Sequence, residues 1–301
     1  MRSFAIFAAL IALALAGIAA FAYPAWLATQ AMGLDFKFHR VASRIAMLTF
    51  LVGFFVVAKR LRVTDRASLG FALPAPAFFA ELAKALVLGA VLMLPVLATM
   101  VALDMRELKP GLSLSAGDWG GIVAMGLGTG LVVAFIEETA LRGVMHTAIA
   151  RESGAVWAVV LVSLVYAATH FLGKARIPPD QIGPGSGIEM LSLMLTAFAN
   201  FGRIADAFLC LAAVGVLLGV VRHLTGNVAA CIGLHASWVA IIYAVRETSE
   251  RRETEPVAWL MSDYDGFIGW MVLAWTVVIG LALWWWYRRK GSRKMGTFPV
   301  S

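Results

Sequence analysis

Apolar residues along this chain are gathered into long blocks. Eight blocks approach or exceed the length that a helix needs to cross the roughly 30 Å hydrocarbon core of a bilayer. They cover about 4–27, 41–58, 82–103, 126–148, 154–173, 204–222, 227–246 and 267–287. Continuous apolar blocks, without the alternation of barrel strands, indicate helices. The pattern predicts an all-α polytopic protein, with 1–301 forming a single integral membrane domain of about eight transmembrane helices.

The longest polar connections in this pattern lie at about 173–203 and 247–266. The first contains two adjacent prolines and a Gly-Pro-Gly-Ser-Gly run. Both connections are therefore expected to lie outside the membrane-spanning helices.

Composition excludes several classes of protein. Hydrophobic residues make up 61% of the chain and charged residues only 14%, whereas a soluble domain carries about 25% charged residues. A soluble enzyme, a nucleic-acid-binding domain and a disordered tail are all excluded. The net charge of +7 is typical of Lys and Arg retained on the cytoplasmic side of a membrane. The expected partner is a lipid bilayer, and no nucleic acid. Cys210 and Cys231 lie inside apolar blocks and predict no disulfide.

The distribution of Lys and Arg predicts the orientation of the chain. Placing the N-terminus and the C-terminus inside puts 14 of the 25 Lys and Arg residues inside, including the dense clusters at 59–66 and 288–294. The run at 284–287, Trp-Trp-Trp-Tyr, is typical of an interfacial anchor. The expected location is the cytoplasmic (inner) membrane of a bacterium. The first block also resembles a signal peptide ending at Ala20-Phe21-Ala22, but its length favours an uncleaved anchor.

Charged side chains inside the apolar blocks are the most informative feature. An ionisable residue at the centre of a membrane helix costs about 2.5–3.5 kcal/mol, so it indicates function by default. The fourth block holds Glu137, Glu138 and Arg142, and the fifth and seventh blocks hold His170 and His235. The set suggests a functional site built from three helices.

Helix geometry separates the two carboxylates. Glu138 and Arg142 are four residues apart and share a face, so they can neutralise each other. Glu137 lies about 140° around the helix from Arg142 and lacks a partner on its own helix. We therefore expect it to seek donors on neighbouring helices, with His170 and His235 as the candidates. The other three histidines are interpreted as interfacial, solvated or structural: His39, His146 and His223.

These residues form three motifs whose order and spacing resemble one protein family. The motifs are Glu137-Glu138-x-x-x-Arg142, Tyr166-x-x-x-His170 and Gly233-Leu-His235-Ala-x-Trp238. They resemble the CPBP family, the CAAX-prenyl proteases and bacteriocin-processing (Abi-type) proteins, which are intramembrane glutamic proteases. The resemblance covers a core of about 120–246, and the remaining spans are generic membrane sequence.

The resemblance implies hydrolysis of a peptide bond by an activated water, with no cofactor. Glu137 would be the general base, His170 would orient the water, and His235 would donate to the developing oxyanion, an interaction worth about 2.7–4 kcal/mol. The expected substrate is a membrane-associated or leader-containing peptide or protein. The supporting residues would be Glu138, Arg142 and Tyr166.

The chain departs from the family pattern at two positions. Tyr166 stands where the second motif usually has Phe. Val239 stands where the third motif usually has Asn or Asp, and valine cannot donate a hydrogen bond. Either His235 acts alone with backbone N–H groups, or another side chain supplies the donor, or activity is weak or absent. The substitute donors would be Ser237, Asn227 or Asn200.

Other readings of the same residues remain open. Zinc held by Glu137, His170 and His235 is chemically possible, although the chain has no HExxH motif. A proton-coupled transporter also uses buried ionisable groups, but the inverted repeats expected of it are not visible. An inactive family member acting as a membrane scaffold or immunity factor is favoured by Val239.

Overall fold

A computed structural model describes residues 1–172, 175–252 and 256–291, with the side chains of 286–291 left undescribed. Ten α-helices, one π-helical segment and a two-stranded ribbon occupy the described part of the chain. In order they are α1 (Arg2–Ala31), α2 (Phe38–Arg60), α3 (Ala75–Ala102), β1 (Arg106–Leu108), α4 (Ala116–Glu138), the π segment (Thr139–Met145), α5 (His146–Ser153), α6 (Ala155–His170), α7 (Ser186–Ala199), α8 (Ala205–Thr225), α9 (Ala229–Thr248), β2 (Ser249–Arg251) and α10 (Trp270–Gly291).

The all-α membrane fold predicted from the sequence is confirmed. Each of the eight apolar blocks overlaps a helix in the described part of the chain. Among the described residues, six helices are long and apolar enough to cross a membrane: α1, α2, α3, the continuous run α4–π–α5, α8 and α9. Apolar helices α6, α7 and α10 have shorter described segments. The side chains of Trp286, Tyr287 and the cluster at 288–294 lie outside what the structure describes.

Helix α7 corrects the expectation for residues 173–203. That stretch was interpreted as a polar connection, but its second half, SGIEMLSLMLTAFA, forms a helix of 14 residues. At 1.5 Å per residue it rises about 21 Å, which is less than the hydrocarbon core. Gly187 at its start lies against α1, where an added Cβ would stand 2.4 Å from the Ala19 carbonyl oxygen. The flanking prolines and glycines hid this short element.

Glycines bring α4 and α9 into backbone contact. A Cβ on Gly126 would lie 3.0 Å from the Ala240 carbonyl oxygen, and a Cβ on Gly130 only 2.4 Å from that of Ala236. Glycines four residues apart therefore meet alanines four residues apart, as in small-residue packing of membrane helices. Glu138, two turns beyond Gly130, is thereby carried towards α9.

The loops form two groups, one at each end of the bundle. At one end, which we call the N-terminal face, the loop after α2 contacts the end of α5 and the start of α9. Arg151 donates to the Arg62 carbonyl (3.0 Å), and Val228 donates to the Gly70 carbonyl (3.0 Å). At the other end, called the ribbon face, β1 pairs antiparallel with β2. The number of membrane crossings stays a prediction. Which face is cytoplasmic stays a prediction.

Candidate active site

The centre of the site is a buried cluster on α4, the π segment and α9. One carboxylate oxygen of Glu138 accepts from Arg142 Nη1 at 3.0 Å and from His235 Nδ1 at 2.8 Å. Glu138 and Arg142 are fully buried and His235 is 5% exposed. The predicted i,i+4 pair is present, and it recruits the histidine of α9 as a third member.

The π segment begins immediately after Glu138. The hydrogen bond typical of a π-helix, between residues five apart, is present at the end of the segment. There the backbone N–H of His146 reaches the carbonyl of Leu141. Such segments are frequent at functional sites. The Arg142 carbonyl accepts from Arg222 Nε of α8 at 3.0 Å, and Arg142 Nη2 reaches the Gly215 carbonyl at 3.3 Å. The segment is therefore fixed to α8 from two sides.

Tyr166 links the two catalytic candidates on the other helices. Its ring lies edge-on to His170, with centroids 4.5 Å apart, and edge-on to His235 at 6.0 Å. The guanidinium of Arg142 stands 4.7 Å from the centre of the same ring, within the range of a cation–π contact. Tyr166 is itself buried. The three motifs thus meet around one aromatic ring.

Hydrogen bonds fix the orientation of both histidine rings. His170 Nδ1 lies 2.7 Å from the carbonyl oxygen of Tyr166, and His235 Nδ1 faces the Glu138 carboxylate. A carbonyl can only accept, so His170 Nδ1 carries the proton, and His235 Nδ1 donates to Glu138 when that carboxyl group is ionised. Each Nε2 then has a lone pair in the neutral ring and donates only in the imidazolium form.

Glu137 occupies a different environment from Glu138. It lines a cavity of about 440 Å³ enclosed largely by apolar side chains from α1, α2, α4, the π segment, α6 and α7. Its Oε2 atom is buried with no hydrogen-bond partner among the described residues. Glu137 is thus the carboxylate without a partner on its own helix, as the sequence predicted.

The predicted contact between Glu137 and His235 is wrong. His235 was expected to donate to Glu137, and it contacts Glu138 instead. The cavity wall includes Thr169 but neither His170 nor His235. The physical reason is the close approach of α4 to α9, which places His235 on the Glu138 side of the helix.

The side chains considered as substitutes for the missing Asn or Asp are engaged elsewhere. Asn227 accepts from the Ala229 N–H at the start of α9 (2.9 Å), and Asn200 donates to the Thr196 carbonyl at the end of α7 (3.4 Å). Ser237 faces Gly89 of α3. Of the options stated for Val239, a side-chain substitute from these three residues receives no support.

Two other histidines have defined positions. His39 was interpreted as a residue of an outer loop, but it lies in the first turn of α2 and lines the Glu137 cavity. His146 is buried at 5% exposure, and its Nε2 has no partner among the described residues. The pattern alone could not distinguish these environments, since both depend on which helices pack together.

The described residues contain no group of three or more His, Cys, Asp and Glu side chains arranged to hold a metal ion. Glu137 lines the cavity, His235 belongs to the buried cluster, and His170 is not part of the cavity wall.

The fold and the site together define a class: a polytopic α-helical membrane protein with a Glu–Arg–His cluster buried inside its bundle. Within that class, residues 119–241 match the family model described as Rce1-like, type II CAAX prenyl endopeptidase. The match confirms the resemblance drawn from the three motifs. The model describes a CAAX-type endopeptidase, and the matched residues include all three motifs. No curated protein and no solved structure matches the chain.

Proposed function

We propose that the protein is a glutamic intramembrane endopeptidase in which Glu137 activates the hydrolytic water. The observation that carries the proposal is the partnerless Glu137 carboxylate oxygen on the wall of an apolar cavity. A buried carboxylate without a donor is costly, and a water molecule bound there would relieve that cost. The same water would be the nucleophile that hydrolysis requires.

The proposed reaction gives each of the three catalytic candidates one role. Glu137 takes a proton from water as the oxygen attacks the carbonyl carbon of the scissile peptide. The Nε2 lone pair of His170 accepts from the same water and orients it. The protonated Glu137 then delivers the proton to the leaving amine, and Glu137 is regenerated as a carboxylate.

The role of His235 depends on its contact with Glu138. Glu138 accepts from Nδ1, so Nε2 donates to the oxyanion only when the ring carries a proton on both nitrogens. Arg142 holds Glu138 in place and offsets its charge. Glu138, Arg142 and Tyr166 are accordingly supporting residues. Backbone N–H groups complete the stabilisation that the usual Asn or Asp would give.

The setting proposed for this chemistry is the cytoplasmic membrane of a bacterium. The substrate is a membrane-associated or leader-containing peptide or protein, because the cavity beside Glu137 is lined mainly by apolar side chains. The core 120–246 carries the reaction within a single membrane domain.

The decisive test is the near-isosteric variant Glu137→Gln, compared with wild type by profiling the N-termini of membrane peptides in matched cells. New N-termini are expected with wild type and none with Glu137→Gln, since an amide cannot accept the proton. Glu189→Gln is the matched control, because Glu189 is exposed on α7 outside the cavity lining, and it should behave as wild type.

The same comparison addresses the scaffold alternative. Wild type and Glu137→Gln giving identical N-termini, with both proteins inserted at equal levels, would contradict the protease proposal. That outcome would favour the inactive scaffold or immunity factor suggested by Val239.

A further inference from the structure

Tyr264 lies in a turn on the ribbon face, between β2 and α10. The turn is held by its own backbone: Ser262 donates to the Ile268 carbonyl at 2.6 Å, and Gly266 donates to the Ser262 carbonyl at 2.9 Å. Asp265 Oδ1 accepts from the N–H groups of Phe267 and Ile268, both at 2.9 Å. Phe267 is fully buried beneath it. The turn is therefore a rigid platform.

The platform contacts the end of α6. The Tyr264 hydroxyl donates a hydrogen bond to the backbone carbonyl of His170, the last residue of that helix. The Tyr264 ring packs on Phe171, with centroids 4.5 Å apart. The last four carbonyls of a helix have no N–H partner within the helix. The Tyr264 hydroxyl supplies a donor to one of these carbonyls, that of the catalytic candidate His170.

The ring of His170 is held by a separate hydrogen bond within α6. Its Nδ1 is tied to the Tyr166 carbonyl one turn earlier, at 2.7 Å. That short tie makes the ring follow the backbone of the last helical turn. Whatever holds the His170 carbonyl therefore also determines where Nε2 points.

We infer that Tyr264 is a positioning residue for His170, holding the end of α6 so that Nε2 of the ring faces the hydrolytic water. The inference rests on the proposed function, because that function makes His170 the residue that orients the water. Tyr264 itself lies outside the 119–241 match. Tyr264 acts through His170 and does not touch the reacting atoms.

The protonation state of Tyr264 suits this role. Burial raises the pKa of Tyr264, and the negative charge of nearby Asp265 adds to the increase. The hydroxyl accordingly keeps its proton at neutral and mildly alkaline pH and stays a donor to the His170 carbonyl.

The first test is hydrogen exchange of the full chain in lipid nanodiscs, comparing wild type, Tyr264→Phe and the control Tyr23→Phe. Loss of one hydrogen bond of about 1 kcal/mol should speed amide exchange at the end of α6, around residues 166–172, about fivefold in Tyr264→Phe. Tyr23 lies on α1, so Tyr23→Phe should leave amide exchange at the end of α6 as it is in wild type. Unchanged exchange in Tyr264→Phe would overturn the inference.

The second test is kinetic, on the substrate named by N-terminal profiling. Tyr264→Phe should lower kcat five- to tenfold with KM within twofold, and should shift the pH profile of kcat, because a misplaced His170 orients water less well. A change in KM alone, or a kcat equal to wild type, would overturn the positioning role. The two proposals fail separately: cleavage unaffected by Glu137→Gln refutes the proposed function, while the exchange experiment still decides whether Tyr264 holds α6.

Discussion

At the scale of single residues, two adjacent glutamates have opposite environments. Glu138 gives one oxygen to both Arg142 and His235 in a fully buried cluster, whereas Glu137 lines a cavity. The second oxygen of each carboxylate is buried without a partner among the described residues. Successive residues of a helix differ by about 100° in direction, so one can be structural and the next reactive. In the proposed function, Glu138 is accordingly the supporting residue and Glu137 the reactive one.

Replacing Arg142 tests the supporting role proposed for Glu138 and Arg142. Arg142→Leu leaves the Glu138 charge buried with a single partner, and breaking a buried pair costs about 3–5 kcal/mol. We expect a lower melting temperature in detergent and a lower yield, as well as loss of cleavage. Arg44→Leu is the control, because Arg44 is exposed on α2.

A double variant shows whether the stranded charge is the cause. Glu138→Leu together with Arg142→Leu removes both charges, and it should recover most of the lost thermal stability without recovering cleavage. A double variant as unstable as Arg142→Leu alone would show that packing of the arginine side chain, and not its charge, is what matters.

At the scale of elements, the meeting of α4 with α9 creates the site. The repeat Gly126-x-x-x-Gly130 allows backbone contact with Ala240 and Ala236, and this contact brings Glu138 within 2.8 Å of His235. Membrane helices have little hydrophobic drive to associate, so close packing of small residues decides which faces meet.

Gly130→Ala and Gly128→Ala are a matched pair on the same helix. The added Cβ would lie 2.4 Å from the Ala236 carbonyl oxygen at position 130, whereas at position 128 it meets nothing within 4 Å. Overpacking should destabilise Gly130→Ala by about 1–3 kcal/mol. Gly128→Ala should be neutral or slightly stabilising, because alanine favours the helix. Thermal melting of both variants checks this, and equal melting temperatures would contradict the packing argument.

At the scale of the whole molecule, contacts between loops divide the chain into two faces. The ribbon of β1 and β2 and the contact of Tyr264 with His170 lie on one face. The contact of Arg151 with Arg62 lies on the other. The Lys and Arg distribution predicts that the second face is cytoplasmic.

Cysteine labelling of intact cells tests that orientation. Ser113→Cys lies in the loop after β1 and Thr64→Cys in the loop after α2, and both positions are exposed. A membrane-impermeant thiol reagent should label Ser113→Cys in intact cells and Thr64→Cys only after permeabilisation. The native Cys210 and Cys231 are buried and should give little background. The reverse pattern would invert the predicted topology.

The sequence by itself determined the class of fold and the identity of the candidate residues. Long apolar blocks require helices in a bilayer, since the backbone must satisfy its own hydrogen bonds there. The cost of charge in that medium made Glu137, Glu138, Arg142, His170 and His235 conspicuous. The local pairing of Glu138 with Arg142 also followed, because an i,i+4 contact depends on one helix alone.

Only the tertiary structure decided which helices meet, and therefore which side chains on different helices are in contact. His235 joins Glu138 and not Glu137, His39 reaches the cavity, and Tyr264 holds His170 from a turn 94 residues away along the chain. Helix α7 formed in a stretch whose prolines and glycines suggested a loop. The first three share one physical reason: periodicity specifies the faces of a helix, whereas contacts between distant elements depend on backbone approach in three dimensions. Helix α7 was missed for a local reason, because the prolines and glycines beside it are typical of loops.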